Sequence, residues 1–483
     1  MVDIKKTSIR QEAERIKVEF ERLAAQKKIN SECFALMKIM FMLIELMIAM
    51  FLEKSLKKTS KNSSIPPSQT QKDNSSLTQE GSNGKGKLER LATANNTRTI
   101  ETVTISYVET CDICGKNLKN VRCQHYEERT TIDIVFEKVV QKVEAEIKIC
   151  PECKSTVKGA FPIDMPGPLQ YGPGLKAYVI NLLVCQMISL NRAQKLIKAL
   201  IGETISEATF LKFILRFHEA LAQWELKATK QILLCSAMNV DETSLRVDMK
   251  NHWIHVYSAD DITLKFLHPS RGTEAINQID IIPRYDGVII HDCWSSYLTY
   301  ENCEHALCGS HLVRELTGII DANQYKWAAQ MKALLLDTCQ AVSKLKKKKI
   351  SEKKYAKLQK NYRRILTCGE KELPAIPPKP DGKRGKIAKS DAHNLWERLQ
   401  KYEIPILLFA QRADVSFTNN RAERDLRMAK VKQKVSGCFR KELYAQAYCR
   451  ISSYLQTMAT KGHNPLIAIQ KIFDGKLIDP GRK

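Results

Sequence analysis

Polar and charged residues dominate positions 3 to 32, and from Ile29 onward apolar side chains recur at Leu36, Ile39, Leu43, Leu46 and Met50. That three-four spacing is an a/d seam and predicts a helix that pairs with another helix, setting residues 1–60 apart as a helical, coiled-coil-like pairing element through which the chain is expected to form a homo-oligomer. The run from Cys33 to Leu52 is also about long enough to span a bilayer. Lys38 and Glu45 interrupt it, each at a cost of ~2.5 kcal/mol or more in mid-membrane, which favours helix pairing over spanning. Across residues 61–100 hydrophobic positions nearly vanish in favour of Ser, Asn, Thr, Gln and Lys, with Pro66-Pro67, the composition of a disordered linker. Residues 161–230 return to helical periodicity, with a break at Ile201-Gly202-Glu203 and a capping-box spacing from Thr204 to Glu207. Two helices across a Gly-containing turn suit a helix-turn-helix reader of DNA, and equally an ordinary helical hairpin.

From Leu233 the pattern changes to strands. MNVDETSLRV, HWIHVYSAD and ITLKFLHPS follow one another, then a helix through Glu274, a continuous apolar Val288-Ile289-Ile290, the short EHALC and the helical SHLVREL. Three strands in succession, followed by strand and helix, is the order of an RNase H-like core, here over residues 231–322. Residues 323–410 read as long basic helices ending in a Pro- and Lys-rich connection, a mostly helical insertion that splits the core. Residues 411–483 supply the second part of the core and the C-terminal helices. The fold class expected is therefore multidomain α/β.

The chain's 483 residues exceed one compact core, and 77 basic against 53 acidic residues give a formal charge of +24. Such an excess points to a polyanionic partner, nucleic acid before an anionic membrane surface. The fifteen cysteines and the charged start MVDIKKTSIRQEAER fit reduced thiols in the cytoplasm better than a secreted disulfide framework. Four of them, Cys111-x-x-Cys114 and Cys150-x-x-Cys153, form two dithiol knuckles flanking a strand-rich stretch in residues 101–160. Paired knuckles suit a tetrahedral structural Zn²⁺, whereas either pair alone also suits a redox dithiol. Cys123 and His125 nearby are read as ordinary residues.

The stretch Thr418–Arg440, TNNRAERDLRMAKVKQKVSGCFR, sets one acid among many cations. Ala422, Leu426 and Ala429 recur at helical spacing as a buried stripe, while Glu423, Arg427, Lys430 and Lys434 fall on an adjacent face. A carboxylate leading a row of cations suits a divalent metal beside a phosphate backbone. Asn420 as N-cap with Glu423 as first-turn acid, on a merely solvated face, accounts for the same pattern. Upstream, Asp241 lies in a strand-like run and Asp292 follows a buried one, at a strand's carboxyl end where open α/β sheets tend to place chemistry. Cys308-x-x-His311 follows shortly after; with no local partner, it reads first as packing.

VDETSLRV, HDCWSSY, CGSHLVREL and NNRAERDLR, in that order, resemble the IS66 family of insertion-sequence transposases, which are DDE enzymes. The resemblance covers most of the chain, including the linker motif SKNSSIPPSQ. It implies a catalytic triad of Asp241, Asp292 and Glu423 holding two Mg²⁺ (or Mn²⁺) ions, and cleavage at element ends followed by strand transfer into target DNA. Many members carry Asp before the paired Asn; Thr418 stands there, with no catalytic role. Arg421, Arg424, Arg427, Lys430 and Lys434 are then the expected DNA contacts, the partners being terminal repeats, target DNA and possible accessory proteins of the same element. An RNase H-fold nuclease without strand transfer, and a catalytically silent zinc-containing DNA-binding protein, are the competing functional classes.

Overall fold

The computed structural model describes residues 103–376 and 389–481, except 135 and 164, together with the isolated positions 22, 26 and 40. The helix expected to pair over residues 29–52 and the linker at 61–100 lie, Met40 apart, outside the described residues. Among the described residues no helix is long and apolar enough to cross a membrane. The described residues divide into two compact units, one holding residues 223–456 and 479–481, the other the residues of 103–222 and 457–478.

In the second unit each cysteine knuckle is a tight hairpin. The Gly115 N–H donates to the Cys111 carbonyl at 2.8 Å and the Lys154 N–H to the Cys150 carbonyl at 3.0 Å; Cys111 and Cys150 in turn donate to the carbonyls of Lys116 and Ser155. Both turns need a left-handed residue, Gly115 at φ 71° and Lys154 at φ 56°. The second hairpin carries strands β1 (Ile147–Ile149) and β2 (Thr156–Lys158), paired antiparallel. The strand-rich stretch expected between the knuckles is not formed: residues 122–134 and 136–146 have no regular secondary structure and are almost all exposed. Their apolar side chains, among them Ile132, Ile134 and Val139, have no sheet face to cover.

Helix α1 (Pro173–Ile180) follows, with Pro at its first turn, and then α2 (Leu190–Ile201), which stops at Gly202 in the left-handed region. Helix α3 (Glu207–Ala220) is capped by Ser206, whose hydroxyl accepts from the Thr209 N–H. The break expected at Gly202 is therefore real, and the cap lies at Ser206 rather than Thr204. Phe210, Phe213 and Phe217 bury one face of α3. The C-terminal segment returns to this unit, setting Phe473 5.5 Å from Phe217, ring to ring.

The first unit begins with α4 (Ala222–Ile232), followed by β3 (Ala237–Val247), β4 (Lys250–Ala259) and β5 (Ile262–His268), which form an antiparallel meander. After α5 (Thr273–Ile279) come β6 (Val288–His291) and β7 (Glu304–Leu307), both running parallel to β3, so the sheet order is β5-β4-β3-β6-β7. Every residue of β6 is buried, as its unbroken apolar run requires of a strand covered on both faces. Helix α6 (Gly309–Asn323) leads into α7 (Lys326–Lys344), α8 (Glu352–Glu372), α9 (Asp391–Lys401) and α10 (Glu403–Gln411). These helices share one apolar core with the outer strands, running from Ile290 and Leu307 through Leu316, Trp327 and Tyr362 to Leu395 and Leu407.

The chain then returns to the sheet as α11 (Asn420–Ser436), ahead of α12 (Glu442–Thr460). Ala422, Leu426 and Ala429 are buried, as their spacing predicts. The helix runs along β3 and is pinned from end to end. Asn419 Nδ2 donates to the Val240 carbonyl at 2.8 Å, Lys430 Nζ to the Ser244 carbonyl at 2.8 Å, and the Phe439 N–H to the Arg246 carbonyl at 2.9 Å. The last helix of the chain, α13 (Pro465–Phe473), belongs with α1 and α3 in the second unit.

Candidate active site

Asp241 lies within β3 and Asp292 directly after β6. The parallel register pairs Asn239 with Ile290, and carrying it two residues further sets Asp292 beside Asp241 at the carboxyl end of β6. Strand alternation puts Asp241 on the same face as Asn239, whose Nδ2 donates to Asn419 Oδ1 at 2.9 Å; that face meets the start of α11. Asn419, not Asn420, is the N-cap of α11, and its side chain is spent on β3 instead of on its own helix. Its N–H donates to Cys308 Sγ at 3.1 Å, and the Gly309 N–H donates to the Phe417 carbonyl at 2.8 Å. A Cβ at Gly309 would lie 2.2 Å from the Phe417 ring, so only glycine lets α6 and α11 begin this close together. Glu423, one turn into α11, is thereby held against the first turns of α6, 3.8 Å from His311 and Arg314.

Asp241 lies in the field of the other two acids. Burial first, then the charges of Glu242 and Asp292, and to a smaller degree Glu423, push the Asp241 carboxyl well above the usual carboxylate range. Asp241 Oδ1 accepts the adjacent Glu242 N–H at 2.9 Å, and Asp292 Oδ1 the Trp294 N–H at 3.1 Å. Glu423 Oε1 is buried and has no hydrogen-bond partner; His311 Nδ1 and the Arg314 guanidinium each stop 3.8 Å away. A crowd of carboxylates with an unsatisfied buried oxygen is the donor set a hard divalent cation takes, so these residues fit such an ion.

The loop after Asp292 is braced from below. His291 Nδ1 accepts the Cys293 N–H at 3.2 Å, leaving its Nε2–H to donate to His305 Nδ1 at 3.1 Å, while His305 Nε2 donates to the Tyr300 carbonyl at 2.8 Å. Burial holds His291 neutral, its pKa pulled down to about 3. On the opposite face of β3, Glu242 is fully buried and accepts from Arg271 Nε at 2.8 Å and from the Tyr297 hydroxyl at 2.5 Å. The Arg271 guanidinium in turn lies over Trp253 at 4.9 Å and Trp294 at 4.3 Å. Nothing in the sequence pattern singled out this cluster; the adjacency of Glu242 to Asp241 was its one visible trace.

Asp425 has a different environment. It is buried, and its Oδ2 accepts from the hydroxyls of Ser258 at 2.7 Å and Thr263 at 2.9 Å on β4 and β5. Lys265, fully buried beside it, donates to Ser452 at 2.8 Å, and desolvation pulls its pKa down to about 8. Among the cations expected to meet DNA, Arg424, Arg427 and Lys434 are exposed. Arg421 and Lys430 instead hold the helix to the sheet, Arg421 donating to the Ile262 carbonyl at 3.0 Å and Lys430 to Ser244. Thr418 offers its carbonyl to Ser416.

Within each knuckle the thiols sit together. Backbone N–H groups of Cys114 and Ile113 hold the Cys111 thiol below its ordinary range, and Ser155 with Cys150 pulls Cys153 down to about 7. The two pairs are not brought together: among the described residues the group with three ligand atoms within 4.8 Å of one another is Cys308, His311 and Glu423. Spacing alone left Cys308-x-x-His311 without a partner because the third member comes from α11, far along the chain.

No curated protein matches the chain. The sequence profile of the family described as "Transposase IS66 family" matches residues 168–447, more than half of the chain and a span that holds Asp241, Asp292 and Glu423; the chain belongs to the IS66 family of transposases.

Proposed function

We propose that this transposase cleaves DNA at the ends of its element and joins the freed 3′ ends to target DNA, using Asp241, Asp292 and Glu423 as one acidic unit on an RNase H-like core. The observation that carries the reading is that Asp292, just after β6, and Glu423, on α11, both lie close enough to Asp241 within β3 to raise its carboxyl, with Glu423 Oε1 lacking a hydrogen-bond partner. The sheet order, three antiparallel strands then two parallel ones, is that of RNase H-like cores. The acids would hold a pair of Mg²⁺ or Mn²⁺ ions, which when bound activate the attacking oxygen and stabilise the leaving one. Asp241, which feels the charge of both other acids, would serve both ions; Asp292 and Glu423 would each complete one. Trp294 orients Asp292 through its N–H, and the Asn419 clamp keeps Glu423 at a fixed height above β3. Arg424, Arg427 and Lys434, exposed on the helix that carries Glu423, are set to neutralise phosphates and track the DNA backbone.

A structural zinc at Cys111, Cys114, Cys150 and Cys153 fits each hairpin separately and requires the two to close on one another. Such a module, with the helices of residues 171–228, would add DNA contacts outside the chemistry, and the N-terminal helix would pair copies of the chain in the cytoplasm. Supplying pre-cut element ends with supercoiled target and Mg²⁺ separates the proposal from a nuclease on the same fold. Joined products are expected; hydrolysis without joining would reduce the protein to a nuclease, and neither reaction would leave a silent DNA-binding protein.

A further inference from the structure

We infer that Cys308, His311 and Glu423 form a binding site for a borderline divalent cation of the zinc class. Their ligand atoms all lie within 4.8 Å of one another, and a tetrahedral zinc with bonds of about 2.0–2.3 Å spaces its ligands by roughly 3.3–3.8 Å, so small rotations suffice to close on an ion. His311 Nδ1 and Glu423 Oε1, 3.8 Å apart, are both buried and both lack a hydrogen-bond partner. Two orphaned polar atoms facing each other in a packed site are costly unless something bridges them. Arg314 Nη2 makes an ion pair with the same oxygen at 3.8 Å but lies outside hydrogen-bond range, so no donor fills it.

The scaffold is rigid at each ligand. Cys308 caps α6 with its own N–H on the His291 carbonyl and the Asn419 N–H on its sulfur. His311 follows one turn later on the same helix, and Glu423 is held through Asn419. Sulfur, nitrogen and one carboxylate oxygen select zinc over magnesium, whose preference is for oxygen alone. Binding releases the thiol proton of Cys308 to solvent. Because Glu423 is common to this site and to the acid unit proposed above, zinc here withdraws it from that unit; this second clause rests on the proposed function, the site itself does not.

The test uses the full chain with Co²⁺ as spectroscopic probe and zinc content measured alongside, for wild type, Cys308→Ser and His311→Gln. Cys308→Ser keeps an acceptor for the Asn419 N–H and leaves the knuckle thiols untouched, so any difference belongs to this site. It is expected to lose one metal equivalent and part of the thiolate-to-cobalt absorption; His311→Gln is expected to weaken binding at least tenfold. Equal metal content and spectra in all three folded proteins would overturn the site and leave Glu423 paired with Arg314 alone. In a second arm zinc is titrated into Mg²⁺-supported cleavage and the ratio of rates with and without zinc is compared within each protein. Wild type is expected to fall about tenfold or more while the Cys308→Ser ratio stays near one. Zinc-insensitive wild-type cleavage would overturn the withdrawal of Glu423. A protein that loads cobalt at Cys308 but cleaves with no metal would leave the site standing and sink the reading of the acids.

Discussion

Glu423 and Asp425 are two positions apart on one helix, yet their surroundings assign them opposite jobs, and a matched pair of substitutions separates these. Asp425→Ala removes the acceptor of the Ser258 and Thr263 hydroxyls and a carboxylate whose charge favours protonated, buried Lys265. Hydrogen bonds to a charged group contribute about 1.5–3 kcal/mol each, and leaving a buried charge without its partner costs about 3–5 kcal/mol. The two estimates overlap, so the combined loss is of order 3–5 kcal/mol. Glu423→Gln removes a charge whose Oε1 makes no hydrogen bond and which opposes ionisation of Asp241. Its effect on stability is expected within about 0.5–1 kcal/mol of zero, of either sign. Urea unfolding followed by fluorescence, with circular dichroism as second probe, reads both variants; a lower midpoint at unchanged slope is expected for Asp425→Ala alone. Cleavage assays on the folded fraction should then show activity retained by Asp425→Ala and lost by Glu423→Gln. A Glu423→Gln protein destabilised by more than 2 kcal/mol, beside an unaffected Asp425→Ala, would refute the assignment of these roles.

Acid should weaken the core through His255, which is buried and whose pKa is pulled down to about 4 by desolvation. The unfolded chain binds this proton from about pH 6.5 downward and the folded chain only near 4, so stability falls as pH drops through that window, by up to about 3 kcal/mol; His255→Gln should flatten the slope in urea titrations at pH 7 and pH 4.5. For DNA, Arg427→Ala or Arg424→Ala should lower the salt dependence of binding by roughly one unit of slope per lost phosphate contact, whereas Arg421→Ala should mainly cost stability, as filter binding at several ionic strengths will distinguish. Cys150→Ser should abolish zinc-dependent protease protection of residues 101–160; protection that ignores zinc in the wild type would count against a metal module there.

Much of the first unit was written in local pattern. The unbroken apolar run Val288-Ile289-Ile290 announces a strand buried on both faces, and the Ala422, Leu426, Ala429 stripe names the face of α11 that meets the sheet. The acids at 241, 292 and 423 stood out because ionisable residues within a strand, just after a buried strand and at the head of a cationic helix are uncommon in a core. What stayed hidden depends on contacts between distant segments. Lys430 looks like a solvent-facing cation until β3 places the Ser244 carbonyl beneath it, and Asp425 looks like an exposed acid until β4 and β5 supply hydroxyls. Cys308-x-x-His311 lacked a third ligand for the same reason. The stretch between the cysteine knuckles erred the other way: alternating apolar residues favour strands, but with no partner sheet they form none.

The central claim is that Asp241, Asp292 and Glu423 act as one metal-holding unit, and the most direct measurement is Mg²⁺-dependent cleavage of a supercoiled plasmid bearing the element ends. Asp241→Asn, Asp292→Asn and Glu423→Gln are compared with wild type at matched DNA occupancy. Groups that work as a unit fail together, so each single change is expected to abolish cleavage and joining while DNA binding stays within about threefold of wild type. Wild-type cleavage by any one of the three variants would contradict the account.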